Sequence, residues 1–350
     1  MDVKYVSEMD WRHLNNYISS KKIANIYHSW EWKNTLTSTY NFTPLYLFAV
    51  ENNFIKGFLP LFKLKNIFGR KSLISLPYSH MVPVLYDSPE ACDALLHSAQ
   101  SIAQNINAKV LMLKCDQRFS KPQWNEFSNN FISTLDLQSD INLIKKNIKN
   151  STLRNIKKAK KENVKIEIGK KMIDYKNFYD LMVDTRRRQG APPYPLNFFK
   201  SLYNNFEEGN RCLFQAFRNG QLLAGIIMLY FGDTAIYAYG ASVSNKSLMR
   251  FRPNELLFWT AIKDACEKNY SVFDFGITPF YNKDLLHFKS RWGVKTYKIM
   301  YVYLSDLSKR QNPLIDRSST SYRLASKFLT RLPRPIIKVL GPQLLKFIGY

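Results

Sequence analysis

The chain has 350 residues, of which 51 are Lys or Arg and 27 are Asp or Glu, so its formal net charge is +24. The hydrophobic content of 45% excludes a largely disordered chain, and the length exceeds the usual size of one domain, so we expect two hydrophobic cores. So basic a chain is expected to bind polyanions, namely nucleic acid, anionic lipid headgroups, or nucleotide and pyrophosphate substrates, unless the charge serves solubility alone.

Several function classes have no support in the sequence. The first residues contain no apolar core of a secretory signal, and no run of about eighteen uncharged apolar residues indicates a transmembrane helix. The histidines show no metal-binding spacing, and the cysteines lie in apolar contexts without C-x-x-C spacing. We therefore expect a cytosolic protein with buried, reduced thiols and no bound metal. The four cysteines are Cys92, Cys115, Cys212 and Cys266.

The first half of the chain predicts a mixed α/β unit. Alternating and helical apolar periodicities give its elements in chain order. These are a strand near 3–6, helices at 8–19 and 29–37, strands at 45–50, 54–64 and 71–76, a helix at 90–107, and strands at 109–114 and 131–137.

A basic segment at 140–162 follows and predicts a helical connector. Arg154, Lys157, Lys158 and Lys161 recur at i, i+3, i+4 and i+7, so they share one helix face. Only Asp140 and Glu162 in the segment are acidic. An anion-binding face is the hypothesis for this segment, with a solvated surface face as the alternative.

The second half repeats the order of the first. A strand at 164–168 precedes a helix with Asp174 as its expected N-cap, and Asn219-Gly220 predicts a hairpin turn. Pro253 is expected in the first turn of a later helix. The elements are a strand at 164–168, helices at 174–190 and 196–206, strands at 211–217, 221–230 and 234–240, a helix at 253–268, a strand at 271–275, a helix at 281–290 and a strand at 295–304.

Recurrence of the element order at half the chain length indicates duplication. The order is that of the GNAT acetyltransferase fold, so the predicted fold class is α/β (α+β) with two tandem GNAT-like domains. The expected divisions are a first domain at 1–139, the connector at 140–162, a second domain at 163–308 and a basic C-terminal tail at 309–350.

Six strings between residues 151 and 293 occur in a characteristic order. They are STLRNIKKAKKENVKIEI, TRRRQGAPPYPLNFF, YGAS, RPNELLFWTAI, FDFGITP and LLHFKSRWG. Together they resemble the Fem-type aminoacyltransferases and related GNAT-like acyltransferases of envelope biogenesis, over about residues 25–345. The resemblance implies transfer of an amino acid or acyl group to an amine of a nucleotide- or lipid-linked glycan precursor, of peptidoglycan or surface polysaccharide. It also implies a charged tRNA as donor, no cofactor, and an active site at the Phe-Lys pair, here Phe288 and Lys289.

Lys289 and Asp274 are the candidate catalytic residues. Aminolysis of an activated ester passes through an oxyanion, and a fixed cation beside it lowers the barrier. Lys289 is expected at a wet cleft, where it contributes little to folding stability, or else as a surface lysine near Trp292. Asp274 ends a strand, so it is expected to orient the amine or to pair with Arg252 or Arg291.

The candidate binding residues surround that pair. Arg154 is expected to hold a phosphate or pyrophosphate through its planar guanidinium. Tyr237, Tyr239 and Asn254 lie where a GNAT-type sheet admits substrates, with packing as the alternative role. The remaining candidates are Phe288, Arg291 and His80, the last either an acid–base group or a structural histidine.

Two stretches depart from family patterns. CoA-dependent GNAT enzymes carry R-x-x-G-x-G/A at a helix N-terminus, whereas the stretch from Arg250 to Glu255 contains no glycine. This departure favours a tRNA-borne donor over acyl-CoA. Many relatives carry a glycine pair where this chain has the stretch from Ser79 to Pro83, so the choice of acceptor stays open.

The C-terminal tail has the composition of a helix that lies in a membrane interface. From residue 309 onward nine Lys or Arg accompany one acid, Asp316, and apolar stripes run through 321–332 and beyond Pro335. We expect it to dock on anionic lipid at the inner face of the membrane, and deletion of 321–350 to leave a folded core. The alternative is a tail packed on the first domain.

Two other functions stay open beside the leading one. The first is an acyl-CoA-dependent N-acyltransferase acting on a sugar nucleotide or small amine. The second is a non-enzymatic membrane- or RNA-binding protein on a GNAT scaffold, although the chain has no aromatic RNA-reading string.

Overall fold

The computed structural model describes residues 1–7, 11–66, 68–115, 124–305 and 320–348. The chain divides into two compact units. Unit 1 holds the described residues of Met1–Ser128, Ile299–Ser318 and Lys346–Tyr350, and unit 2 holds those of Asn129–Lys298 and Ser319–Leu345. The segment 140–162, expected as a connector, lies in unit 2. The predicted domain divisions stay a prediction.

Unit 1 alternates strands and helices as its apolar periodicity predicts. Its elements are β1 (Asp2–Tyr5), α1 (Trp11–Ser19), α2 (Trp30–Tyr40), β2 (Thr43–Pro44), β3 (Leu47–Glu51), β4 (Phe54–Leu59), β5 (Phe62–Lys65), β6 (Lys71–Ile74), β7 (Leu85–Tyr86), α3 (Pro89–Asn105) and β8 (Ala108–Leu113). The strand expected over 54–64 is two strands, because Pro60 has no N–H to donate and the chain changes sheet there. Residues 8–10 of the first predicted helix lie outside the described residues.

Two sheets form in unit 1. One has the order β1-β3-β4-β7, and the strands β2, β5, β6 and β8 follow one another in the second. The pair β6 and β8 is parallel and is connected through α3. Leu95, Leu96 and Ala99 of α3 are buried against these strands and supply much of the core.

Unit 2 contains the longer elements. They are β9 (Asn125–Asp136), α4 (Ile141–Asn147), α5 (Asn150–Lys161), β10 (Lys165–Gly169), α6 (Met172–Arg188), α7 (Leu196–Asn205), β11 (Arg211–Arg218), β12 (Gln221–Phe231), β13 (Thr234–Ser242), α8 (Lys246–Met249), α9 (Pro253–Glu267), β14 (Val272–Pro279), α10 (Lys283–Ser290), β15 (Lys295–Ser305), α11 (Thr320–Arg331) and α12 (Arg334–Ile348). β9 begins, and β15 ends, within the chain segments of unit 1.

The sheet of unit 2 has the order β10-β11-β12-β13-β14-β9. Its strands are antiparallel except for β13 and β14, which are parallel and connected through α9. Each unit therefore contains one parallel pair joined by a helix, which agrees with the predicted duplication. α9 buries Leu257, Ala261 and Ile262 completely against this sheet, so the helix between the parallel strands fills the core.

The first turns of α9 and α6 show how well local sequence signals predicted where these helices begin. Pro253 lies in the first turn of α9, as expected. Asp174 is not an N-cap, because α6 begins earlier, at Met172. Asp174 lies at the third helical position, where its carboxylate accepts a hydrogen bond from the Lys171 N–H at 2.9 Å. A carboxylate there satisfies a free N–H of the first turn just as a cap does.

All four cysteines are buried and free of disulfides, as predicted. Among the described residues, every helix is too short or too polar to cross a bilayer. No cluster of three or more His, Cys, Asp or Glu side chains within the described ranges is arranged to hold a metal ion.

Candidate active site

The candidate active site of unit 2 lies where two parallel strands diverge. β13 and β14 pair only through Thr234–Val272, Ala235–Phe273 and Ile236–Asp274. Asp274 occupies the last paired position, and the rest of both strands continues without pairing between them. A sheet that opens in this way exposes backbone groups and side chains of both strands to a bound substrate.

A bulge in β14 shapes the position of Asp274. The register with β9 shifts between Asp274 and Ile277, and Gly276 has a φ of 70°. That backbone conformation is open to glycine at little cost. The Gly276 N–H donates a hydrogen bond to Asp274 Oδ1 at 2.7 Å. The bulge thus fixes the carboxylate at the point of divergence.

Lys289 reaches the same bulge from α10. Its Nζ donates hydrogen bonds to the carbonyl oxygens of Gly276 at 2.8 Å and Ile277 at 3.0 Å. Only 1% of the residue is exposed. The expectation of a lysine at a wet cleft was therefore wrong, and so was the alternative of a surface lysine. α10 turns Lys289 inward because the freed carbonyls of the bulge supply two acceptors.

Burial changes the charge states of both residues. It raises the pKa of Asp274 to about 6, although the Gly276 N–H and Lys289 both oppose this rise. Burial also lowers the pKa of Lys289 to about 7, against the influence of Asp274. A carboxylate and an amine that both titrate near neutral pH are suited to proton transfer.

Aromatic rings pack beside this pair. The Phe258 ring centroid lies 4.8 Å from that of Tyr237 and 5.3 Å from those of Phe275 and Phe288. Trp292 is completely buried, whereas Phe288 is half-buried. Burial raises the pKa of Tyr237 to about 12, so its phenol is neutral at physiological pH. The predicted Phe-Lys pair thus consists of a half-buried aromatic ring, that of Phe288, and the buried amine of Lys289.

Tyr239 lies in a different aromatic cluster. It is 7% exposed, and its ring centroid lies 5.2 Å from that of Tyr194 and 5.4 Å from that of Phe198. These aromatic neighbours agree with a packing role for Tyr239, which was the alternative to substrate binding. Its role in binding stays a prediction.

A buried carboxylate near the site was missed in the sequence. Glu255, in the first turn of α9, is 5% exposed and accepts a hydrogen bond from Asn155 Nδ2 at 2.9 Å. Arg291 pairs with the same Oε1 oxygen at 3.9 Å. The Arg291 carbonyl in turn accepts from the Lys149 N–H at 2.9 Å. Glu255 therefore links α5, α9 and the end of α10.

This network corrects the partners expected for Asp274. Arg291 pairs with Glu255, and the charged group that acts on Asp274 is Lys289. Arg252 is exposed and has a φ of 60°, a left-handed conformation that is rare for residues other than glycine. A capping carboxylate three residues after Arg252 is a general signal of a helix start, and it was the one indication of Glu255 in the sequence.

The remaining predicted residues lie on several elements. Arg154 is exposed on α5, and Asn254 is half-buried in the first turn of α9. Both belong to unit 2. His80 belongs to unit 1, where its carbonyl accepts a hydrogen bond from the Tyr301 hydroxyl at 2.8 Å and its ring lies 5.6 Å from that of Tyr27.

Unit 1 contains a second buried lysine that the sequence did not single out. Lys114 directly follows β8, is 4% exposed, and donates to the Ser79 carbonyl at 3.4 Å. Burial lowers its pKa to about 7. A lysine that follows an apolar strand without any motif gives no signal of burial in the sequence.

Comparisons with known proteins agree with this fold. A model of the acetyltransferase (GNAT) domain matches residues 146–298. No match was found among curated protein sequences. Among solved structures, FemX is similar with a TM-score of 0.69 and 16% identity, covering 86% of this chain and 97% of that chain.

Two further solved structures share the fold. L-PGS from Bacillus licheniformis has a TM-score of 0.58 and 11% identity, covering 94% of this chain and 99% of its own. A tandem GNAT protein from the clavulanic acid biosynthesis pathway has a TM-score of 0.53 and 9% identity, covering 87% of this chain and 98% of its own. The predicted tandem GNAT fold and the resemblance to Fem-type proteins are thereby confirmed.

Proposed function

We propose that this chain, an acyltransferase with a GNAT domain, transfers an aminoacyl group from a charged tRNA to an amine of a cell-envelope glycan precursor. The proposal depends mainly on one observation. Asp274 lies where β13 and β14 diverge, Lys289 binds the carbonyls of the same strand just after it, and both residues have pKa values near neutral. The similarity to FemX and to L-PGS agrees with this choice.

The reaction is an aminolysis. The acceptor nitrogen attacks the ester carbonyl carbon of the donor, a C–N bond forms, and the C–O bond to the leaving hydroxyl breaks. The nitrogen loses a proton, and the leaving oxygen gains one. In this proposal Asp274 takes the proton of the amine, and its pKa of about 6 leaves it ionised at neutral pH for that role.

Lys289 supplies the positive charge for the oxyanion. An ammonium group has three N–H donors, and the carbonyls of Gly276 and Ile277 accept two of them. In the proposed reaction the third N–H donates to the oxyanion of the tetrahedral intermediate. A donor held in place by the fold costs no reorganisation during the reaction, which makes such stabilisation effective.

The first turn of α9 argues against CoA as the donor. A diphosphate of CoA would require free N–H groups and a positive field at this helix terminus. Here Pro253 lacks an N–H, and the Glu255 carboxylate already places a negative charge in the first turn. An added anion is less stable beside that charge.

A basic face on α5 is better suited to an RNA backbone. Its four residues at helical spacing are all exposed, and they lie on the helix that packs against α9. Rows of Lys and Arg neutralise successive phosphates, so binding should weaken steeply with salt. Lys157, Lys158 and Lys161 are the members of this face that we assign to the RNA, and Arg154 is the member that we assign to the acceptor.

The acceptor completes the proposal. The nucleotide- or lipid-linked glycan carries phosphates, for which Arg154 is a suitable bidentate ligand. A lipid-linked acceptor would place the enzyme at the inner membrane face, with the basic C-terminal tail in contact with lipid. Loss of Arg154 should therefore raise the Michaelis constant for the acceptor more than it lowers turnover.

An acyl-CoA-dependent N-acyltransferase is the second candidate. The match of residues 146–298 to an acetyltransferase domain favours it. Calorimetric titration separates the candidates, since the absence of a conventional loop predicts that acetyl-CoA binds no more tightly than about 1 mM, roughly −4 kcal/mol. Micromolar affinity would support the second candidate.

Mass spectrometry tests the transfer itself. The purified chain is incubated with extracted envelope precursors and either a mixture of charged tRNAs or acetyl-CoA. A precursor mass increased by one amino acid, only with charged tRNA and only with an intact Lys289, supports the proposal. An acetyl increment with acetyl-CoA supports the second candidate. Unchanged precursors with both donors would contradict transfer to these acceptors.

A further inference from the structure

The C-terminal helices α11 and α12 belong to unit 2 as far as Leu345, and each has a buried face. The buried apolar side chains are those of Leu329, Ile337 and Leu345. Gly341 approaches Pro193 so closely that an added Cβ would lie 2.3 Å from the proline Cδ. The buried face of α12 is therefore closely packed, since even one methyl group at Gly341 does not fit beside Pro193.

Ion pairs hold the same face. Arg334 Nε lies 3.1 Å from Asp184 Oδ1, and Arg334 Nη2 lies 3.3 Å from Asp180 Oδ1. Lys338 Nζ lies 2.5 Å from the same Asp180 oxygen. Both acids are on α6. The described part of the tail up to Leu345 is thus a component of unit 2, instead of packing on the first domain as the alternative prediction had it.

The opposite face of both helices is apolar and exposed. Val339 is 69% exposed, Leu324 63% and Phe328 61%. Leu324 and Phe328 are four residues apart, so they lie on one side of α11. We name this the outer face, and it consists of Leu324, Phe328, Ile336, Val339, Leu340 and Leu344.

A basic row borders the outer face on α11. Arg323, Lys327 and Arg331 recur every four residues and are all exposed. No Asp or Glu occurs from residue 317 to residue 350. An apolar face bordered by Arg and Lys, without acids, has the chemistry of a helix at the surface of an anionic bilayer.

We propose that the outer face and its basic row dock unit 2 on an anionic lipid surface. The leucines, the valine and Phe328 would enter the boundary of headgroups and acyl chains, and the three basic side chains would contact lipid phosphates. A second copy of this chain fits less well, since a symmetric contact would place the like-charged basic rows beside one another.

This docking deepens the proposed membrane location and says how it is achieved. Because the opposite faces of α11 and α12 are fixed to α6, the tail is not a loose tether. The bilayer would therefore orient unit 2, and with it the site at β13 and β14, relative to a lipid-linked acceptor. Only this consequence depends on the proposed transferase function.

Flotation with vesicles tests the docking on the full chain. The wild type should float with vesicles of phosphatidylcholine and phosphatidylglycerol, and much less with pure phosphatidylcholine. Replacing Arg323, Lys327 and Arg331 by Gln should weaken partition to the anionic vesicles roughly a hundredfold. Leu324→Gln with Phe328→Gln should weaken it roughly tenfold or more.

Matched variants control for charge and for exposed apolar area. Replacing Lys170, Lys176 and Lys200, three exposed lysines elsewhere in unit 2, by Gln should leave flotation within about twofold of the wild type. The same holds for Phe54→Gln, which removes an exposed ring from unit 1. All variants should unfold at the wild-type temperature, because none of the changed side chains is buried.

The outcomes separate lipid docking from the alternatives. Wild-type flotation of the outer-face variants, or no flotation of the wild type, would overturn the proposal. A wild type that is dimeric by sedimentation, and becomes monomeric on Leu324→Gln with Phe328→Gln, would assign the face to a second copy. Docking that persists while all transfer assays fail would contradict only the proposed function.

Discussion

Lys289 combines a buried position with two hydrogen bonds to the strand that carries Asp274. Lys289→Met keeps the volume of the side chain and removes its charge, so we expect turnover to fall roughly a hundredfold, about 2.7 kcal/mol of transition-state stabilisation. Lys289→Arg should recover only part of it, because a planar guanidinium does not reproduce a compact ammonium. Single-turnover kinetics would measure both, and wild-type turnover in the folded Met variant would exclude the assignment.

Stability distinguishes two substitutions at the same position. Lys289→Ala leaves a cavity and two unpaired carbonyls, which should cost about 2–4 kcal/mol in urea unfolding. Lys289→Met fills the space but also leaves the two carbonyls without a donor, so it should cost less than Lys289→Ala, about 1–2 kcal/mol. The sequence-based expectation of a small effect is therefore closer to the Met variant than to the Ala variant.

The two pKa values predict the pH dependence of the reaction. Asp274 acts as a carboxylate above about pH 6, and Lys289 acts as an ammonium below about pH 7. A plot of kcat/KM should therefore rise through the first value and fall through the second, giving a narrow bell whose limbs belong to the pair. Asp274→Asn should abolish the acidic limb. A flat profile between about pH 5 and pH 9 would contradict these roles.

The same shifts affect folding, with opposite signs. The pKa of Asp274 is raised from 3.8 to about 6, so the native state binds more protons in that window and loses stability as the pH rises through it. The pKa of Lys289 is lowered from 10.5 to about 7, so stability increases as the pH rises from 7 toward 10.5. The wild type, compared with Asp274→Asn, should show the first trend in chemical denaturation.

At the scale of elements, Glu255 joins α5, α9 and α10 through one carboxylate oxygen. Glu255→Ala leaves Asn155 without its acceptor and Arg291 without its counter-charge, which should cost about 3 kcal/mol. Glu255→Gln keeps an acceptor and should cost less. A double-mutant cycle with Asn155→Ala in urea unfolding would measure the coupling. Additive effects of the two substitutions would show that the hydrogen bond contributes nothing.

Periodicity predicted most elements of unit 2, because strands such as β12 and helices such as α9 have long apolar patterns and clear turn residues. Periodicity did not predict the bulge at Gly276, which arises from how β14 pairs with β9. The inward direction of Lys289 depends on that bulge. For the same reason the motif drew attention to Lys289 while the surroundings of this residue were predicted wrongly, and its catalytic role stays a prediction.

At the scale of the whole molecule, the C-terminal tail was predicted as a separate segment, but as far as Leu345 it is part of unit 2. Removing residues 321–350 would take away the buried side chains of Leu329, Ile337 and Leu345, and Asp180 and Asp184 would lose their ion pairs with Arg334 and Lys338. We therefore expect the truncated chain to melt several degrees lower and to aggregate, in contrast to the folded core expected from the sequence. Differential scanning calorimetry and light scattering would measure both effects. A truncated chain that melts like the wild type would show that the docked face contributes little.

The strand β15 has a consequence for synthesis on the ribosome. Its residues Val302 and Tyr303 pair with Leu113 and Met112 of β8, so unit 1 acquires this strand only from a segment that follows nearly all of unit 2 in the chain. During translation the N-terminal residues therefore emerge long before their last strand partner does. The nascent β8 edge stays open for the time needed to add almost two hundred residues, at about 5–20 residues per second. Binding of a chaperone to that edge during synthesis would protect a sheet that the growing chain itself cannot yet complete.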